Sequence, residues 1–114
     1  MGVEPEHTGS GPIHAVPKAA ARAGIRIDDI DLIEINEAFA CMTVATINQL
    51  HLDPDKVNVN GGAVGLGHPI GASGARIIIT LVHELRRRGG GLGLATLCAG
   101  GGMGAATIIE VPAP

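Results

Sequence analysis

The sequence predicts an α/β layered domain, and three observations carry that expectation. Short β-branched runs alternate along the chain with segments of helical period; two glycine-dense stretches, around residues 61–74 and 98–104, interrupt the regular pattern; and 46% of the 114 residues are hydrophobic, with 18 glycines besides and only 17% charged. That apolar content exceeds the usual ~45–50% for soluble domains, glycine included, and excludes a disordered chain. At this length one modest core is all the chain can build.

Taken in order, residues 1–16 hold Pro5, Gly9, Gly11 and Pro12 without an apolar period, so an irregular lead-in is expected there and the domain proper over 17–114. Pro17 suits a first helical position, Ala19 to Ala23 form helix well, and Gly24 followed by Ile25 makes a left-handed stop, which predicts a helix over 17–23. Leu32, Ile33 and Ile35, interrupted only by Glu34, predict a strand over 31–35. Asn36 and Glu37 then offer a capping residue and a first-turn carboxylate to a helix over 38–50 that contains no charged side chain. A helix without a charged face is covered on most sides. One small domain lacks the material for that, so a further protein layer outside this chain is expected. Cys41, among Ala38, Ala40, Met42 and Ala45, reads as core.

Asp53-Pro54-Asp55 breaks the helix, a short strand is expected at Val57 to Val59, and a glycine-rich loop follows. From Ser73 a second long helix places Ile77, Ile78, Leu81, Val82 and Leu85 on one face, with Arg86, Arg87 and Arg88 in its last turn and Gly89 ending it. Gly93 to Leu97 and Ala105 to Val111 predict two strands joined by a glycine-rich tip beginning at Cys98. The chain shows no internal repeat.

Composition narrows the function. Eight Lys and Arg stand against eleven Asp and Glu, a net charge of −3, and there is one Phe with no Trp or Tyr. Neither a field for phosphates nor a platform for stacked bases is present, so nucleic acid is not an expected partner, and the arginine triplet reads as a solvated helix end. Two cysteines without a signal sequence or metal-ligand spacing suggest reduced thiols in a cytoplasmic-type compartment, with no metal site. No segment is long and apolar enough for a membrane span. Met-Gly at the start lacks the Ser or Thr that myristoylation wants at position six, where Glu6 stands.

Three polar or reactive side chains sit in permissive backbone: Asn36 at a strand-to-helix junction, His68 in the first glycine-rich loop, and Cys98 at a strand end. His68 lies just before a helix N-terminus, where an oxyanion is favoured; it is either catalytic or a tie for its own loop. Cys98 is followed by small residues with open amides, the arrangement of a nucleophile or acid/base beside an oxyanion nest, or else it is an ordinary buried strand cysteine. Gly65, Gly67 and Gly71 miss the dinucleotide spacing by one residue, with arginines where a ribose-binding acid belongs, so nicotinamide cofactor binding is a weak alternative.

Taken together, Asn36-Glu37-Ala38-Phe39, the run from Val57 through Gly65, Gly67, His68, Pro69 and Gly71 to Arg76, and Cys98-Ala-Gly-Gly-Gly-Met-Gly resemble the three C-terminal motifs of thiolases, in order and at matching intervals. The resemblance runs from about Gly11 to Val111 and corresponds to the C-terminal part of such an enzyme. It implies a portion of an αβαβα layered sandwich, a mixed sheet with helices packed on it. His68 would match the histidine that activates the nucleophilic cysteine and donates to the thioester oxygen, and Asn36 the asparagine that holds a water in the same oxyanion hole. Cys98 would match the thiol that moves the α-proton, and the Gly100 amide a donor of a second oxyanion hole.

The acylated cysteine of the family has no counterpart here, and Cys41 does not lie at that motif. The resemblance therefore implies acyl-CoA and coenzyme A as substrates with no separate cofactor, a missing N-terminal half, a dimer or tetramer when complete, and an isolated chain unable to run the two-step acyl transfer. Location would be cytoplasmic, or organellar in a eukaryote. Ala99, Val64 and Gly65 are small departures within the motifs. Ketoacyl synthases, with two histidines and a cysteine, and lipid-transfer-type thiolases, which depart at the first motif, match less well. The alternative is a truncated, non-catalytic chain that acts by packing on a thiolase subunit or another partner.

Overall fold

A computed structural model describes all 114 residues. Three strands, β1 (Leu32–Ile35), β2 (Gly91–Ala99) and β3 (Met103–Val111), form one mixed sheet in the order β1-β2-β3. β1 runs parallel to β2 from Leu32 opposite Gly93 to Ile35 opposite Thr96, whereas β2 and β3 are an antiparallel hairpin running from Gly91 opposite Val111 to Ala99 opposite Met103. Asp31 sets the parallel register twice, its N–H donating to the Leu92 carbonyl at 2.9 Å and its carboxylate accepting from the Leu92 N–H at 2.8 Å. Gly93 to Thr96 are buried without a break, as a central strand covered on both faces requires.

Helices cover the two faces. Helix α4 (Ser73–Arg87) lays Ile77, Leu81 and Leu85 on Leu32 and Ala95; these three side chains are at most 1% exposed, and each such burial is worth roughly 1.5–3 kcal/mol. Its expected start at Ser73 and the stop at Gly89 (φ 89°) are both found, with the Gly90 N–H closing on the Leu85 carbonyl. On the opposite face, Val16 of α1 (Gly11–Ala23) and Met42 of α2 (Ala40–Gln49) pack with Ile33, Ile35, Leu94 and Cys98. A one-turn helix, α3 (Ala63–Leu66), lies inside the first glycine-rich loop. No helix is long and apolar enough to cross a membrane.

Several expectations are corrected. The lead-in is not irregular: residues Pro5–Ser10 form a 3-10 turn, α1 begins at Gly11 rather than Pro17, and the expected boundary at residue 16 falls inside that helix. Pro12 takes the first-turn position that suits proline, and Pro17 is tolerated within the helix because α1 is held on β3 by packing. The contact is backbone on backbone, since a Cβ on Gly11 or on Gly104 would overlap the other's main chain. Residues 1–3 pair with β3 through Val3 N–H to the Gly102 carbonyl (2.7 Å) and Gly104 N–H to the Met1 carbonyl (2.8 Å).

The strand expected at Val57 to Val59 reduces to one bridge between Val57 and Ile33. The chain turns there because Asn58 is left-handed (φ 48°), and its side-chain amide takes over the pairing, accepting from the Ile35 N–H at 2.8 Å and donating to the Ile35 carbonyl at 2.9 Å. Cys41 is exposed, not core. Met42, Thr43 and Thr46 of α2 are buried and Ile47 packs partly against the core, while the rest of the helix faces outward, with Val44 56% exposed and the N-cap Phe39 65% exposed.

Candidate functional site

Because β1 and β2 are parallel, both carry their chains to the same edge of the sheet, the edge where α/β folds bind ligands. Asn36 leaves the end of β1 there, fully buried, its N–H on the Thr96 carbonyl at 2.9 Å. Its side chain does not cap α2 as the sequence suggested; Phe39 is the N-cap residue, and the Asn36 Oδ1 instead accepts from Arg76 of α4 at 3.3 Å. The Asn36 Nδ2 and the Arg76 Nε are buried without a partner. Each such orphaned donor costs about 1–3 kcal/mol, a cost that persists at functional positions.

Glu37 is likewise reassigned. Its Oε1 accepts from the Val64 N–H at 3.2 Å, so it caps α3 and not α2, and it packs against Gly62 so closely that a Cβ there would overlap it. The first motif thus pins the start of the loop that carries His68. At the loop's other end the His68 Nδ1 meets the Ser73 Oγ at 2.6 Å, while the ring is exposed. The Ser73 hydroxyl also lies 3.1 Å from the Pro69 carbonyl, so the His68 ring and the backbone at Pro69 share one anchor at the start of α4. Ser73 and Arg76 stand one turn apart on α4 and anchor His68 and Asn36 respectively. One helix end therefore joins the first two motifs.

Cys98 reaches the same edge along β2, opposite Gly104, but on the other sheet face, among Met42, Val16 and Ile35. No hydrogen bond joins it to Asn36 or His68. Burial pushes its thiol above the ordinary value, which keeps it protonated at neutral pH. Gly100 is exposed in the tip beyond, beside Gly101 and Gly102 at φ 82° and 83°.

Sequence reading missed Ser73, Arg76 and Glu34. Glu34 is buried on the α4 face of β1, and burial raises its carboxyl to about 7, partly offset by the charge of Arg76 and reinforced by that of Glu37. Its one visible signal was a carboxylate inside an otherwise apolar strand. Two surface cavities, of about 480 and 490 Å³, lie between α1 and β3 and between α4 and the end of β3, and neither is lined by Asn36, His68 or Cys98. No cluster of His, Cys, Asp and Glu is arranged to hold a metal ion.

This arrangement has a family. The model of the thiolase C-terminal domain matches residues 1–111, and the chain belongs to that family. It is 56% identical to an acetyl-CoA acetyltransferase of Chromobacterium violaceum over 111 residues, covering 97% of this chain and 28% of that protein. It is 55% identical to the cytosolic acetyl-CoA acetyltransferase of Mus musculus and 49% to a 3-ketoacyl-CoA thiolase of Bacillus subtilis, in each case over 96% of this chain and 28% of the relative. The crystal structure of the Bacillus anthracis acetyl-CoA acetyltransferase superposes with a TM-score of 0.94 at 53% identity, covering 96% of this chain and 28% of that one. The fold is that of the C-terminal part of a thiolase, and the chain spans little more than a quarter of the length of these relatives. Residues 1–16, expected to stand apart, lie within the family match.

Proposed function

We propose that this domain supplies the C-terminal half of a thiolase active site, for Claisen condensation of acetyl-CoA or CoA-dependent thiolysis of a 3-ketoacyl-CoA. Its Asn36, His68, Cys98 and Gly100 would work with an acylated cysteine contributed by a separate N-terminal region. The observation that carries the reading is the tethering of the first two motifs to one helix end, His68 through Ser73 and Asn36 through Arg76, at the sheet edge that Cys98 also reaches.

The geometry suits the chemistry. The His68 imidazole takes the proton of the nucleophile thiol and then, protonated, donates to the thioester oxygen, with a water on Asn36 as the second donor. In condensation Cys98 first gives its proton to the coenzyme A thiolate that leaves when the nucleophile is acylated, and as a thiolate it then removes the α-proton of acetyl-CoA. The carbanion attacks the acyl carbon, the Gly100 amide donates to the oxyanion that forms, and its collapse expels the nucleophile sulfur as a thiolate. In thiolysis the same thiol gives its proton to the departing enolate, starting from the protonated form that burial stabilises. Substrates would be coenzyme A thioesters with no further cofactor, in a cytoplasmic dimer or tetramer.

The test is a chimera in which this domain replaces the matching segment of the Chromobacterium violaceum relative. His68→Ala and Cys98→Ala should each lower kcat by roughly 10²-fold or more, and near-normal turnover in both would overturn the assignment. A second reading, a non-catalytic chain that packs on a thiolase subunit, draws on the bare apolar side chains Phe39, Val64, Leu66 and Ile70, which are 65–86% exposed. An assembled chimera without turnover would favour it.

A further inference from the structure

Arginine has five N–H donors and no acceptor, so the end of the Asn36 amide that faces Arg76 has to be its oxygen. That contact fixes the polarity of the amide: Nδ2 is the end left over, and it is the Nδ2 that has no partner in the domain. A free asparagine could present either end to an incoming group, because the two are nearly the same size. Here the donor end alone is left unpaired, buried beside the arginine. The cation is itself held in place, since Arg76 projects from the first turns of a helix whose Ile77 and Leu81 are fully packed, close enough to the buried Glu34 to offset part of that carboxyl's burial.

We propose that Arg76 is a positioning residue for the acyl-transfer reaction: it holds the Asn36 oxygen so that the Asn36 Nδ2 donates to the water or thioester oxygen of the site. The inference rests on the function proposed above. It assigns Arg76 no contact with substrate; its effect passes through Asn36.

The test is a double-mutant cycle in the same chimera, with Asn36→Ala, Arg76→Met and the pair, reading kcat, the KM for acetyl-CoA and the thermal melt. Removing an oxyanion donor outright costs roughly 10²-fold, and Arg76→Met should cost less, roughly 10-fold in kcat with KM little changed. In the Asn36→Ala background the same substitution should cost nothing further. Arg76→Lys, which keeps a cation beside Glu34 and one donor, guards against misfolding and should fall between the wild type and Arg76→Met. A full additional loss in the double variant overturns the inference, because Arg76 would then act on the reaction directly. Normal kcat in both Arg76 variants while Asn36→Ala is impaired overturns this inference and leaves the proposed function standing. A harmless Asn36→Ala removes both.

Discussion

The seam between α1 and β3 and the rim around His68 and Cys98 are both rich in glycine, for opposite reasons. At the seam Gly11 and Gly104 meet main chain to main chain, and any side chain on either would collide with the other. At the rim Gly65, Gly71, Gly74 and Gly100 have nothing within 4 Å of a built Cβ, and none has a positive φ. Glycine at the seam answers to the packing of this domain. Nothing inside the domain calls for glycine at those four rim positions; on the function proposed above, its use there would lie with substrate or with the rest of the enzyme.

The contrast can be broken at its strong side first. Gly104→Ala should be the most damaging substitution for stability, about 3 kcal/mol, because backbone cannot move aside as a side chain can; a melt unchanged from the parent chimera would show that the seam is looser than described. A second test compares two carboxylates. Glu84 is satisfied within the domain by Arg87, Arg88 and Asn60, with Arg87 the leading cause, and is held at about 2, well below its ordinary 4.5. The folded state therefore gains stability above that ordinary value and loses it as pH falls from 4.5 toward 2. Glu84→Gln should melt below the parent at neutral pH, with the gap closing on acidification; a gap independent of pH would mean that charge is not its source. Glu34 runs the other way, its stability contribution falling as pH rises from 4.5 through about 7. The smallest effect belongs to the rim, where Gly100→Ala should leave stability within about 0.5 kcal/mol while lowering kcat. A clear loss of stability would place Gly100 with the seam.

What the sequence made legible follows the same division. The bounds of α4 could be read because its signals are local, an apolar period, an arginine-rich last turn and a glycine stop; the β2–β3 hairpin was read too, but β2 runs two residues further at each end and β3 starts two residues earlier, so that Cys98 lies in the ladder and not in the tip. His68 and Cys98 were visible because reactive side chains in glycine-dense loops are conspicuous. The start of α1, the inward face of α2 and the partners of Asn36 and Glu37 were not, since each depends on a group distant in sequence: Gly104, the Ile33 and Leu94 face of the sheet, Arg76, and the Val64 amide. Cys41 was misplaced for that reason. The charge-free face of α2 is bare in this chain, and reading its cysteine as core did not follow from the lack of charge.

Asn58 has a consequence for assembly. An open strand edge recruits further strands, including those of identical chains, and so seeds aggregates. At the end of β1 the Asn58 amide occupies both the donor and the acceptor of Ile35, as one more strand would, yet it offers no onward pair for another. The ladder is terminated by a side chain. Extension in the plane of the sheet is blocked at that point, by one side chain and without a further strand.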